Sequence, residues 1–240
     1  AAQYRFEGII GRVTVDYTSD GTLDADYPGT GNTNADWEDQ VGSNDGTVNG
    51  SPDLYEGLNA TQSTSSAQPQ IVADGVIVVG DNEEPALDFD GTKSLTPNED
   101  LGSLSAYSQF AVASKDVGTG LDGLYSPSSQ DGLLLIDTGI GSKWGSYRSS
   151  ALNADSIISS TALMAVTSAD ALAINFFLNG SADGSASGGT IGQAPHIGGL
   201  SGGQEMDGKI TEIIFYDSDQ SANREAIEAN IAGRYGITLS

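Results

Sequence analysis

The end of the chain constrains its fold more than any other part. A glycine-rich approach, HIGGLSGGQEMDG (196–208), leads into KITEIIFYD (209–217) and then into SANREAIEANIAGRYGI (221–237). In KITEIIFYD, Ile210, Ile214 and Tyr216 stand against Ile213 and Phe215, so both faces of the strand carry apolar groups and both need cover. The segment after it supplies one cover as an amphipathic helix. Ile227, Ile231 and Tyr235 recur at i, i+4 and i+8, with Arg224, Glu225 and Glu228 off that stripe. Gly236 suits the C-terminal stop and Ser221 the N-cap. One helix closing an otherwise strand-and-turn chain is an unusual order.

The rest of the chain reads as short strands separated by turn residues. Gly occurs 32 times, and Asn, Asp, Ser and Thr crowd between the apolar runs. A hydrophobic fraction of 38% is enough for a core, and 240 residues suit one large all-β domain. IVADGVIVV holds two apolar runs broken at Asp74-Gly75, and ALDFDG alternates Leu87 and Phe89 with Asp88 and Asp90. SQFAVASKD and GLLLID read as further strands. ALMAVTS and ALAINFFLNGS read as a hairpin, with Leu172, Ile174, Phe176 and Leu178 on one face. Asn179-Gly180 ends it in a tight turn, because both residues tolerate positive φ. SADGSASGG and GGLSGGQ read as hairpin loops. Residues 24–70 are polar and loop-rich, with Trp37 as an anchor under a loop. Phe6, Ile9, Val13 and Val15 mark the first ~20 residues as a strand pair or an extended arm, either packed on the domain or reaching towards a neighbour.

The charge excludes whole classes of partner. Nine basic residues face 33 acidic ones, a formal charge of -24. Nucleic acid and anionic membrane surfaces both need cationic groups that this chain lacks. No apolar stretch approaches the ~20 residues of a membrane helix. There is no Cys, hence no disulfide and no thiolate metal site. The opening AAQYRFEG is compatible with loss of an initiator Met or with signal cleavage after small residues.

Five segments in order carry a resemblance. PALDFDGTKSL, LSAYSQFAVAS, FFLNGSADGSASGG, IGG with MDGKITEIIFYD, and REAIEANIAGRYGI together resemble the laminin-G-like, concanavalin A-like jelly-roll domains. The resemblance is greatest to the bacterial and phage versions that end in a short helix. It implies an all-β, two-sheet antiparallel jelly-roll sandwich with one short C-terminal α-helix, occupying residues 23–240 behind an N-terminal strand or arm at 1–22. Relatives of this fold bind glycans or proteins, sit on virions, or accompany enzymes, so function must come from a site.

No catalytic set stands out. A glycosidase needs two carboxyl groups facing one cleft. Asp88 and Asp90 share a face without a Glu, and Glu212 and Asp217 lie on opposite faces. His196 is the single His, with no nucleophile elbow near it, and it cannot hold zinc alone. Trp144 and Tyr147, with Arg148 beside them, are the candidates for stacking and bonding a sugar; the competing reading of Trp144 is a residue packed in the core or on a sheet edge. The resemblance implies calcium at the sandwich rim. The acids that could hold it are Asp36, Glu38 and Asp39; Asp81, Glu83 and Glu84; and Asp122 with Asp131. The triplets at Asn49, Asn59 and Asn179 matter only in a eukaryotic secretory protein.

The leading expectation is a non-enzymatic structural protein on the surface of a tailed-phage particle. Its partners would be capsid or tail subunits or further copies of itself, with residues 1–20 docking by strand addition. The alternative is a secreted or cell-surface carbohydrate-binding module or adhesin of a prokaryote, with surface glycans as partners.

Overall fold

The computed structural model describes residues 3–6, 47–49, 59–62, 64–70, 72–73, 76–84, 86–97, 104–116, 121–126, 134–137, 143–147, 151–158, 160–170, 172–187, 196–200, 204–216 and 218–240. Its frame consists of strands β1 (Gln3–Phe6), β2 (Leu87–Asp90), β3 (Tyr107–Lys115), β4 (Leu121–Ser126), β5 (Leu134–Asp137), β6 (Lys143–Tyr147), β7 (Ala151–Ile157), β8 (Ala162–Ser168), β9 (Ala173–Leu178), β10 (Ser181–Ser187), β11 (His196–Ile197) and β12 (Asp207–Tyr216), followed by helix α1 (Arg224–Tyr235). Seven strands form one sheet in the order β1-β12-β3-β8-β9-β10, with β2 also on β12; five form the other, in the order β7-β6-β5-β4-β11. The pairings are antiparallel. The chain is the two-sheet jelly-roll sandwich with a closing helix that the resemblance implies.

Alternation sorts β3 between two cores. Tyr107, Ala111 and Ala113 face the five-stranded sheet, while Phe110 and Val112 face the helix. β8 does the same, with Met164 and Val166 inward and Leu163 and Ala165 towards the helix. Between the sheets these residues meet Phe89, Leu124, Tyr125, Trp144, Phe176 and Phe215. Fully burying one such side chain contributes roughly 1.5–3 kcal/mol.

β12 departs from simple alternation. The register against β3 shifts between Ile210 and Glu212. This bulge places Ile210 and Ile213 together on the inter-sheet side and leaves Ile214 and Tyr216 under the helix. The sequence pattern had grouped Ile210 with Ile214, and the extra residue is why that grouping fails.

One edge of β12 is shared end to end. β2 pairs with residues 207–210 and β1 with residues 213–216. Gln3–Phe6 thus completes the chain's own sheet. Of the two placements open to the first residues, packing on their own domain or reaching to a neighbour, these four take the first. The remainder of that arm, and Trp37, lie outside the described residues.

The helix start also differs from expectation. Asn223 is the N-cap and makes no side-chain capping bond; Ser221 instead hydrogen-bonds to Asp219. Glu228, read as off the buried stripe, is 1% exposed. Arg224 explains this: its guanidinium pairs with Glu228, donates to the Gly180 carbonyl at 3.0 Å and lies 4.0 Å over the Phe177 ring. Gly236 ends the helix at φ 64, where a Cβ would be strained. The tail then returns to the β9–β10 turn, where the Ser240 N–H donates to the Asn179 carbonyl at 2.9 Å.

Candidate functional site

The best-built polar constellation lies where the edges of the two sheets meet. Trp144, on β6, points inward and is fully buried, edge-on to Phe176 with centroids 5.4 Å apart. A buried indole N–H needs an acceptor. It donates to Asp183 Oδ2, on β10 of the opposite sheet, at 2.6 Å. The Ser156 hydroxyl, on β7, donates to Asp183 Oδ1, also at 2.6 Å. One buried carboxylate, 5% exposed, therefore bonds both arms of the β6–β7 hairpin. Charge-assisted bonds of this kind have net worths of about 1.5–3 kcal/mol each.

Trp144 therefore offers no face to a sugar, which corrects its place among the glycan candidates. The physical reason is parity: on β6 it alternates with Gly145 and faces the core. Tyr147 is in register with Ala151 and is the last residue of β6. Arg148 follows it, outside the described residues.

No sequence pattern singles out Asp183. SADGSAS has no apolar alternation and reads as a loop, yet it forms β10, held by pairing with β9. Only the inward position of one Asp in a strand of small residues marks it.

A second polar link joins the sheets at another place. Lys115, at the end of β3, forms an ion pair with Asp122, on β4, both side chains under 10% exposed. Asp122 is thus engaged by a cation; Asp131 lies outside the described residues. Asp81 is also in use: its Oδ2 accepts the Thr161 N–H at 3.0 Å and the Thr161 hydroxyl at 3.3 Å. Glu83 is exposed at φ 64. Among the described residues, no three acidic or imidazole groups come together in a way that could hold a metal ion. Calcium needs six to eight oxygens in one cage, and Asp81, Glu83 and Glu84 do not build one. Asp36, Glu38 and Asp39 lie outside the described residues.

The remaining titratable groups are explained by local packing. Burial pushes the Asp88 carboxyl above its ordinary value; Lys209 opposes this, and Asp116, Asp90 and Asp207 add to it. Burial also acts upward on Asp90, but bonds from Lys93 and Thr92 outweigh it and hold that carboxyl below its usual value. Glu228 is pushed up by burial, with Arg224 opposing. Glu212 is 1% exposed and opposes Val112 in register, away from Asp88. His196 pairs in register with Ser126 on the edge strand of the smaller sheet. Asn179 uses its side-chain oxygen to accept the Leu163 N–H at 2.9 Å.

No family model and no curated protein sequence matches the chain. Similar solved structures do exist. One is a Trypanosoma rangeli sialidase in complex with sialic acid, with a TM-score of 0.50 at 12% identity, over 80% of this chain and 32% of that one. Another is domain 4 of an extracellular GH43 arabinanase from Geobacillus stearothermophilus in complex with arabinotriose, with a TM-score of 0.46 at 14% identity, over 67% of this chain and 85% of that one. A third is the CBM40 of a Ruminococcus gnavus sialidase bound to α2,3-sialyllactose, with a TM-score of 0.41 at 14% identity, over 53% of this chain and 84% of that one. The chain spans about a third of the T. rangeli enzyme's length. At such identities the likeness is one of fold, and the fold is a two-sheet antiparallel jelly-roll sandwich.

Proposed function

We propose that this chain is a non-enzymatic carbohydrate-binding sandwich, displayed outside a prokaryotic cell. The observation that carries the reading is the place of Tyr147 at the end of β6, a strand that with its partner β7 is bonded into the core through Asp183. Arg148 follows it in the sequence. An aromatic face beside a guanidinium suits a sugar: the ring stacks on apolar C–H groups and the fork bonds hydroxyl or carboxylate oxygens. The fold likeness to a third of a sialidase whose structure contains sialic acid supports the same class of ligand. The order of the five sequence segments favours a laminin-G-like affiliation within that class.

The virion reading has less behind it. Its docking arm begins with Gln3–Phe6, which pair with the chain's own β12.

The test is binding to an array covering neutral and sialylated oligosaccharides. Specific retention is expected, and Tyr147→Ala and Arg148→Ala should each weaken it about tenfold, the size of one good contact. Their melting temperatures should stay close to that of the parent. No retention on the whole array, or retention untouched by both substitutions, would overturn the reading at these two residues.

A further inference from the structure

We propose that Asp183 is the positioning residue of the ligand-binding hairpin; this rests on the reading of Tyr147 and Arg148 given above. The argument starts from what a two-stranded hairpin at a sheet edge lacks. Among the described residues, β7 has a hydrogen-bonded neighbour on one side only, β6. The ladder between them is itself irregular, because the register shifts between Lys143 and Gly145. Backbone pairing alone therefore fixes this hairpin poorly relative to the rest of the molecule.

Asp183 supplies the missing constraint. Its two carboxylate oxygens are divided between the two arms, Oδ2 to Trp144 on β6 and Oδ1 to Ser156 on β7, each at 2.6 Å. The carboxylate belongs to β10, so both arms are referenced to the opposite sheet. Gly184, the next residue, sits at φ 100, and a Cβ there would come within 3.1 Å of Asp155 Oδ2. The glycine lets β10 approach β7 closely enough for Asp183 to reach Ser156. Trp144 lies three residues before Tyr147 on the same strand, so anchoring its indole to Asp183 anchors the strand that ends in Tyr147. Preorganisation of this kind raises affinity by removing the cost of ordering the site on binding.

The experiment uses Asp183→Val, Asp183→Asn and Trp144→Phe in the full chain, with amide hydrogen exchange and oligosaccharide-array affinity as the two readouts. Asn keeps an oxygen for the Trp144 N–H and an amide for Ser156, so it should stay within about threefold of the parent affinity. Val and Trp144→Phe should each lose at least about tenfold, the size of one charge-assisted bond. Exchange should quicken across residues 143–157 in both of these variants and stay unchanged in β3 and β8. If Asp183→Val does not fold, Trp144→Phe carries the same test, because it removes one donor and keeps most of the volume.

Uniform quickening of exchange with affinity retained would overturn the positioning role and leave Asp183 as a stabilising group only. So would unchanged exchange in 143–157. Failure of the underlying reading looks different: Tyr147→Ala and Arg148→Ala would then leave binding intact, while the exchange pattern still reports whether Asp183 holds the hairpin.

Discussion

The two faces of the seven-stranded sheet are held in different ways. Towards the five-stranded sheet, a broad apolar layer is crossed by two buried polar links, Trp144–Asp183 and Lys115–Asp122. Towards the helix, a narrower cluster of Phe110, Val112, Leu163, Ala165, Ile214 and Tyr216 is capped by Ile231, Ala232 and Tyr235, and the charges sit at one end of the cap as Arg224 and Glu228. On the first face, polar groups tie together two layers that the backbone does not pair. On the second, they fasten a helix to a hairpin turn. A buried carboxylate between the sheets is therefore a matter of orientation, and one under the helix a matter of attachment.

Adjacent residues of β12 measure the difference most directly. Phe215 lies between the sheets, fully buried, with Tyr107 and Tyr125 rings 6.4 and 5.8 Å away; Ile214 lies under the helix. Phe215→Ala should cost about 4 kcal/mol and Ile214→Ala about 2–3 kcal/mol, by urea or guanidinium midpoints. Equal costs would mean that the helix face matters as much as the inter-sheet core, and the comparison would break.

The Lys115–Asp122 link sharpens it next. Lys115→Met should cost about 3 kcal/mol, because it leaves a buried carboxylate without its cation. Adding Asp122→Leu should recover most of that loss, since an apolar pair of similar size carries no desolvation penalty. A double variant as unstable as the single one would show that the pair contributes beyond its mutual attraction.

The smallest effect is in pH. Asp88 and Glu228 bind their protons more tightly in the folded chain than in the unfolded one. Their contribution is fully present below the ordinary carboxylate values and is lost as pH rises through the raised folded values. Asp90 acts in the opposite sense, its contribution being lost as pH falls through its lowered value. Asp88→Asn should therefore flatten the fall in melting temperature from mildly acid to neutral pH. An unchanged slope would assign that fall to Glu228 or to the general repulsion of a chain with charge -24.

Much of this architecture could be read before any coordinates. The closing helix, the two-faced strand before it, the ALMAVTS hairpin and the Asn179-Gly180 turn all follow from period and turn chemistry, and Asn179 stands at φ 48 as such a turn requires. Leu172 is an exception: it lies outside β9 and is 74% exposed. The site was far less legible. Trp144 could be read as a platform or as a core residue because its neighbours are Gly, Ser and Lys, and inward parity and an acceptor distant in sequence decide for the core. β10 escaped notice because a strand supported by its partner's backbone needs no apolar side chains of its own. The bulge at residue 211 is set by pairing across 100 residues of sequence, which no local pattern encodes.

The shared edge of β12 has a consequence for how the molecule is made. Residues 207–216 pair with strands drawn from residues 3–6, 87–90 and 107–115, so the strand that joins these distant parts is synthesised after all three of them. Until it emerges, β3 has an open edge and the N-terminal strand has no partner. Pairings of such long sequence separation make for slow folding, and an unfinished edge invites mispairing with other chains. The nascent chain thus waits with its principal sheet divided, and a chain ending before residue 207 would lack the strand that unites it.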